Sequence, residues 1–301
     1  VALLCGCQAA GLMPRAPSLP GLFAAASNSK TPFQYTHLEV NSMLWRTNGL
    51  CIAVDPIAGQ LDFGIPFVYK ANQATITRDR CLAILRESKP DAVLLSQGLD
   101  DHCHLPTIEA IVEIFPDMRF ICNPASAKRI ASIVNKENIT VLRPGQSTQI
   151  VAGSCSKVTV RATEGALVGP PWQQRENGYI LTTEQGPSVY YEPHGDVDPA
   201  ELRRSGARAD IVISPVVEQN LPAFTLVHGG GRTLDIARAL DAKAIIPLRN
   251  GELRTEGPLA SIIEARGTQE EFLSLAKQTA RDITIYDTQP GKPIKVIVSK
   301  N

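Results

Sequence analysis

The chain has 301 residues, 44% of them hydrophobic, which suits one large domain or two halves around a shared core. Its 30 Lys and Arg balance 30 Asp and Glu, so no global basic field points to nucleic acid. No run of about 18 apolar residues occurs, which predicts no membrane-spanning helix. Cysteines stand at 5, 7, 51, 81, 103, 122 and 155 and form no C-x-x-C pair. Their odd number and scattered spacing favour reduced thiols. Cys51, Cys81 and Cys122 lie in apolar runs and read as buried structural thiols.

In chain order, residues 1–36 contain no Asp or Glu and carry Arg15 and Lys30 among many Ala, Ser, Pro and Gly. Residues 1–34 read as a transit-like presequence, plastid-directed, and residues 35–301 as the domain, with folding expected from near Phe33. A weak lipobox at Leu4-Cys5-Gly6-Cys7 and a tail with no address are the alternatives. Strands are predicted at 37–40, 42–45 and 50–54, with Asn48-Gly49 as a hairpin turn and Asp55-Pro56 closing the third. Residues 58–75 read as an irregular insertion. A helix over 77–87 places Cys81, Leu82, Ile84 and Leu85 on one face. The apolar strand Ala92–Leu95 runs into Asp100-Asp101-His102-Cys103-His104.

Pro106-Thr107 opens a helix to about Phe115, with Pro near the first turn. A strand at 118–122, a helix at 125–134 and a strand at 139–142 follow. The pattern then turns to β at 147–152, 157–163, 178–183 and 188–192; the loop 164–177 holds Gly169-Pro170-Pro171-Trp172. A strand at 211–214, helix at 233–240, strand at 244–247, helix at 270–280 and strands at 283–286 and 294–298 complete the chain. The order is β-rich, α/β, β-rich, α/β. Two such halves, each a sheet with helices on its outer face, make an α/β (α+β) four-layer αββα sandwich.

The chain has only five histidines, and two of them fall in three positions at a strand end, beside Asp100 and Asp101. Rigid strands that present loops are where function collects. The stretch resembles the signature of the metallo-β-lactamase superfamily, a strand ending in His-x-His-x-Asp-His. Asp101 and His102 keep the last two positions, while Gln97 and Leu99 stand where the first two histidines belong. Further landmarks support the resemblance across residues 35–299: the hairpin ending in Asp55-Pro56, the turn Gly145-Gln146-Ser147, the strand pair after Asn177 and Ser188, and the late strand Ala244-Ile-Ile-Pro-Leu248. Ser96-Gln-Gly-Leu-x-Asp-His102 is similar to the divergent branch of cyanobacteria and plant plastids.

That resemblance implies a metal-dependent hydrolase. Zinc takes about four N or O ligands and keeps a position open for water. Two of the signature histidines are replaced, the loop at 164–169 has none, and Arg249-Asn250 stands where the last one belongs. One of the family's two metal positions is therefore dismantled. The other retains Asp101, His102 and His194, with His104, Glu192 or Asp100 to complete it, and implies one divalent metal, zinc by preference. Asp101 would orient the attacking water, and His194 would be a ligand or proton shuttle in the cleavage of an ester, thioester or phosphoester.

Bland readings stand beside these. Asp101 is read alternatively as a cap for the next helix and His102 as a hydrogen-bonded core residue, in a non-catalytic scaffold or binding protein that kept the fold. His228-Gly-Gly-Gly-Arg232-Thr233 is either an anion cradle with Arg232 or a mobile loop with a Thr cap. Arg249 is read as binding a substrate anion or replacing metal charge, so a small anionic substrate is expected. Cys103, between two histidines, is weighed as a thiolate. Tyr190, Tyr191 and Trp172 are expected in the core or a cleft wall rather than as a nucleic-acid platform.

Overall fold

A computed structural model describes residues 31–63, 67–152, 156–168, 172–222, 224–249 and 253–298. Residues 1–30 of the expected presequence, Cys155, the 169–171 segment and Asn250 lie outside the described residues. The first half contains β1 (Phe33–His37), β2 (Met43–Thr47), β3 (Leu50–Val54), β4 (Lys70–Gln73), α1 (Arg78–Ser88), β5 (Ala92–Leu95), α2 (Leu105–Ile114), β6 (Phe120–Cys122), α3 (Pro124–Ile130) and β7 (Ile139–Val141). The second contains β8 (Ser147–Ala152), β9 (Ser156–Glu164), β10 (Asn177–Thr183), β11 (Val189–Tyr191), α4 (Pro199–Arg204), β12 (Ile211–Pro215), β13 (Glu218–Leu221), β14 (Phe224–Val227), α5 (Gly230–Ala239), β15 (Ala244–Leu248), β16 (Leu253–Glu256), α6 (Pro258–Ile262), β17 (Glu264–Arg266), α7 (Gln269–Thr279), β18 (Thr284–Ile285) and β19 (Pro293–Val296).

Two seven-stranded sheets organise these elements, in the orders β19-β1-β2-β3-β5-β6-β7 and β18-β15-β12-β11-β10-β9-β8. Strand alternation explains the layering, because successive side chains point to opposite faces. Leu50, Ile52 and Val54 enter the core between the sheets, where they join Tyr191, Ile211, Ile213 and Ile246 of the opposite sheet. The intervening Cys51 and Ala53 face out and pack under Cys81, Leu85, Ile108 and Ile130 of the helices. On the second sheet Tyr190, Val212 and Ile245 face out beneath α4, α5 and α7. Both faces of the central strands are covered, which is why these strands read as continuous apolar runs. The expected αββα sandwich is what the chain forms.

Strand ends carry the differences. The strand expected at 37–40 lies earlier, at Phe33–His37, because the chain turns at Glu39 (φ 70°) and Val40 (φ 53°). The buried Glu39 carboxylate holds that turn by accepting from the backbone N–H groups of Ala74, Thr75 and Ile76 at 2.6–3.0 Å. The Asn48-Gly49 turn forms as expected, with φ of 50° and 78°, the paired left-handed residues of a tight hairpin. The insertion at 58–75 is not wholly irregular: β4 pairs antiparallel with β16. A second small sheet, β14-β13-β17, forms from short strands that the sequence does not signal. Among the described residues, no helix is long and apolar enough to cross a membrane. Cys51, Cys81, Cys103 and Cys122 are free and buried.

Candidate metal centre

β3, β5 and β6 run parallel, as do β11, β12 and β15. Ligands in such sheets bind outside the carboxyl ends of the strands. Asp55 follows β3, Ser96 follows β5 and Glu192-Pro193-His194 follows β11, and the two sheets meet there. Tyr191 donates its hydroxyl to Asp55 across the sandwich at 2.8 Å.

Asp55 is fully buried, with φ 41°. Its carboxylate also accepts from the Ser96 backbone N–H at 2.7 Å, the Ser96 hydroxyl and His102 Nδ1 at 2.9 Å. A carboxylate on one ring nitrogen settles which nitrogen is left to bind something else. In His102 that nitrogen is Nε2, 3.4 Å from Asp101 Oδ2 and 3.1 Å from Asn41 Nδ2. Asn41 also donates to the Asp101 carbonyl at 3.1 Å, so the turn after β1 braces the strand-end loop. The rings of His102 and His194 stand 5.5 Å apart.

Asp101, His102 and His194 each offer one ligand atom, and these atoms lie within 4.8 Å of one another. The electrostatics follow from burial and proximity. Burial opposes charge on His102, but Asp101 and then Asp55 outweigh it and push the imidazole up to about 10. Burial works against a charged Asp101 too, and His102 and His194 overcome it to hold the carboxyl below its usual range. His194 is pushed down to about 4, first by burial and then by repulsion from His102. Asn41 Oδ1, Asp101 Oδ1 and His194 Nδ1 are among the buried polar atoms of the described residues that lack a partner. Their residues line one cavity of about 190 Å³. Such orphans in a shared cavity fit a cation or an ordered polar ligand, and the N, N, O donor set suits zinc.

Other expected site residues lie elsewhere. His104 occupies the N-cap position of α2, its Nδ1 2.7 Å from Thr107 Oγ1 and its Nε2 3.0 Å from the Gln60 carbonyl. Both ring nitrogens are engaged away from the cluster. Asp101 does not cap that helix. Asp100 pairs with Arg129 at 2.9 Å and accepts from the Phe63 N–H at 3.3 Å. The Glu192 carboxylate accepts from the backbone N–H groups of His194 and Asp196 and so shapes the loop that carries His194.

Arg249 donates to the Thr288 carbonyl at 2.6 Å and pairs with Asp287 at 3.5 Å. It stands near Tyr35 and His37 and does not line the cavity, so it is not placed to replace metal charge at Asp101 and His194. Arg232 donates to the Val197 carbonyl, in a separate cleft with Glu164, Asp196, Asp198 and Glu201. Arg232 also lines a further cleft of about 400 Å³, with His228, Gly229, Gly230, Gly231 and Arg266. Gly230 and Gly231 form the first turn of α5 rather than a loop, and Thr233 sits inside the helix, donating to the Pro215 carbonyl. Burial pushes the Cys103 thiol up to about 12, which removes it as a thiolate. Tyr190 and Tyr191 are in the core, but Trp172 is 85% exposed and is neither core nor cleft wall.

Sequence reasoning passed over Asp55 and Asn41 as site residues. Asp55 left a signal, an acid at the end of a fully apolar strand before Pro56. Asn41 left none.

Residues 34–249 match the family model of the β-lactamase superfamily domain. No curated protein matches the chain. Among solved structures, the fold is similar to Igni18, a metallo hydrolase of Ignicoccus hospitalis, at TM-score 0.61 and 14% identity, covering 89% of this chain and 100% of that one. An isothiocyanate hydrolase from Delia radicum gut bacteria superposes at TM-score 0.61 and 17% identity, covering 88% and 100%. The metallo-β-lactamase fold protein YhfI of Bacillus subtilis does so at 0.59 and 13%, covering 89% and 100%. These identities show a shared fold.

Proposed function

Since the chain belongs to the β-lactamase superfamily, we propose that it is a divergent metal-dependent hydrolase holding one divalent ion, zinc, on Asp101, His102 and His194. The observation that carries this reading is the convergence of three ligand atoms within 4.8 Å, with unpartnered polar atoms of Asp101 and His194 in one cavity. A zinc ion there supplies a Lewis acid and a bound water ionising near neutral pH. The residues do the rest. Asp55 holds His102 in the tautomer that offers Nε2. Asp101 has one oxygen toward His102 and the other unpartnered, placed to orient water and accept its proton. His194, kept neutral by burial, serves as ligand or proton shuttle. The reaction class is cleavage of a small ester, thioester or phosphoester.

Metal content of the purified protein tests the reading, beside the Asp101→Ala/His102→Ala double variant. About one ion per chain, lost in the variant, supports it. One observation favours a second reading, a metal-free binding protein: both His102 ring nitrogens already have neighbours within hydrogen-bonding reach, Asp55 and Asn41. No metal in either protein, with equal folding, selects that reading. We further propose plastid import directed by residues 1–34, tested by a fluorescent fusion with and without them.

A further inference from the structure

The cavity over Asp101 and His194 is built largely by the elements that the sequence signals least. Val40 comes from the turn after β1, Val227 from β14, Leu253 from β16 and Ile263 from the end of α6. Phe63 and Tyr69 close another side, their rings 5.3 Å apart. Along β16, Leu253 and Thr255 line the cavity while Arg254 does not, as strand alternation requires. Among the described residues lining it there is no Lys or Arg, and Asp101 is the one carboxylate.

The polar floor and the mostly apolar walls, which also carry Gln219 and Thr255, divide the labour. Asn41, Asp101 and His194 face the reacting group, and the walls face whatever is attached to it. An anion against the apolar wall residues would lose its water, and no Lys or Arg among the described lining residues would replace it. A benzene molecule fits a dry apolar cavity of about 150 Å³, and this one is about 190 Å³. We propose that the group beyond the scissile bond is neutral, apolar and about the size of a benzene ring. The proposal rests on the hydrolase reading and replaces the anionic substrate expected from Arg232 and Arg249, neither of which lines the cavity.

The test separates the two ideas. Benzyl alcohol and benzoate are titrated into metal-free protein by ligand-observed NMR, which needs no catalysis. Benzyl alcohol is expected to bind at least about tenfold more tightly, a difference of about 1.4 kcal/mol. Ile263→Lys, at a half-buried wall position, is expected to narrow or reverse that preference, and Ala260→Trp to abolish binding by filling the cavity. Equal or tighter binding of benzoate to the unaltered protein, or binding of neither probe, overturns the proposal. Zinc-loaded protein is then assayed with phenyl acetate and 4-carboxyphenyl acetate, and the carboxylate is expected to lower kcat/KM at least about tenfold. The assay is repeated with S-phenyl thioacetate and phenyl phosphate, and preferential binding of benzyl alcohol without hydrolysis of any of these leaves the apolar selectivity standing and sinks the hydrolase reading.

Discussion

Asp55 decides which nitrogen of His102 is available, so its removal reaches the centre without touching a proposed ligand. Asp55→Asn keeps the shape but puts an amide where four hydrogen bonds converge on a carboxylate. Metal affinity is expected to fall about 10–100-fold, read by competition with a zinc chelator. The metal-free protein should also show a pH signature. The His102 imidazole rises from its ordinary value of 6.5 to about 10 in the fold. Between pH 7 and 9 the native state therefore holds a proton that the unfolded state has released. The His102 contribution to stability is fully present below about 6.5 and declines as pH rises toward 10, with a limiting slope of about 1.4 kcal/mol per pH unit for one proton. Buried thiols add to the decline only near and above the ordinary thiol value of 9.0. Urea midpoints across pH 7–9 check this, and His102→Gln should flatten the slope. An unchanged slope would mean that His102 is not the group responsible.

Turns and caps bring the site together at the scale of elements. The left-handed turn at Glu39-Val40 aims Asn41 at Asp101 and His102, and the Glu39 carboxylate fastens it to the start of α1 through three N–H groups. Glu39→Ala leaves those donors without their charged acceptor. The expected cost is roughly 2–4 kcal/mol, with weakened metal binding, measured by urea denaturation and chelator competition. A contrasting change lies far from the centre. α7 begins with a reciprocal capping box between Thr268 and Glu271. Thr268→Ala should cost about 1 kcal/mol and leave metal content unchanged. Helix starts such as these are legible in a sequence because the cap chemistry is local. α1 begins at Arg78, one residue after the expected start, with Thr77 as its cap. The start of α5 was misplaced by one turn, since glycines that suggest a loop are held in helix by Gly230 packing against Phe272.

Across the whole molecule the two sheets are joined by aromatic packing as well as by chemistry. Trp45 is fully buried and meets Tyr191 of the opposite sheet edge-on, with ring centroids 5.7 Å apart. Trp45→Ala should destabilise the chain by about 3–5 kcal/mol, seen as a lowered midpoint by circular dichroism. The αββα architecture was readable because its central strands are buried on both faces and spell apolar runs, and because helices and strands alternate at regular lengths. Asp101, His102 and His194 were readable as candidates because strand ends concentrate polar residues. Their company was not. Asp55 and Asn41 reach His102 from 47 and 61 positions away, and no local period records a contact of that range. Arg232 and Arg249 have the right chemistry for an anion, and only packing shows that neither lines the cavity over Asp101 and His194. Local propensity and periodicity act over a few residues, so one chain specifies its layers in plain sight. Much of the cavity wall comes from short, weakly patterned strands at 218–221, 224–227, 253–256 and 264–266, whose pairing is settled by distant partners, so the site's selectivity emerges only when the two halves close.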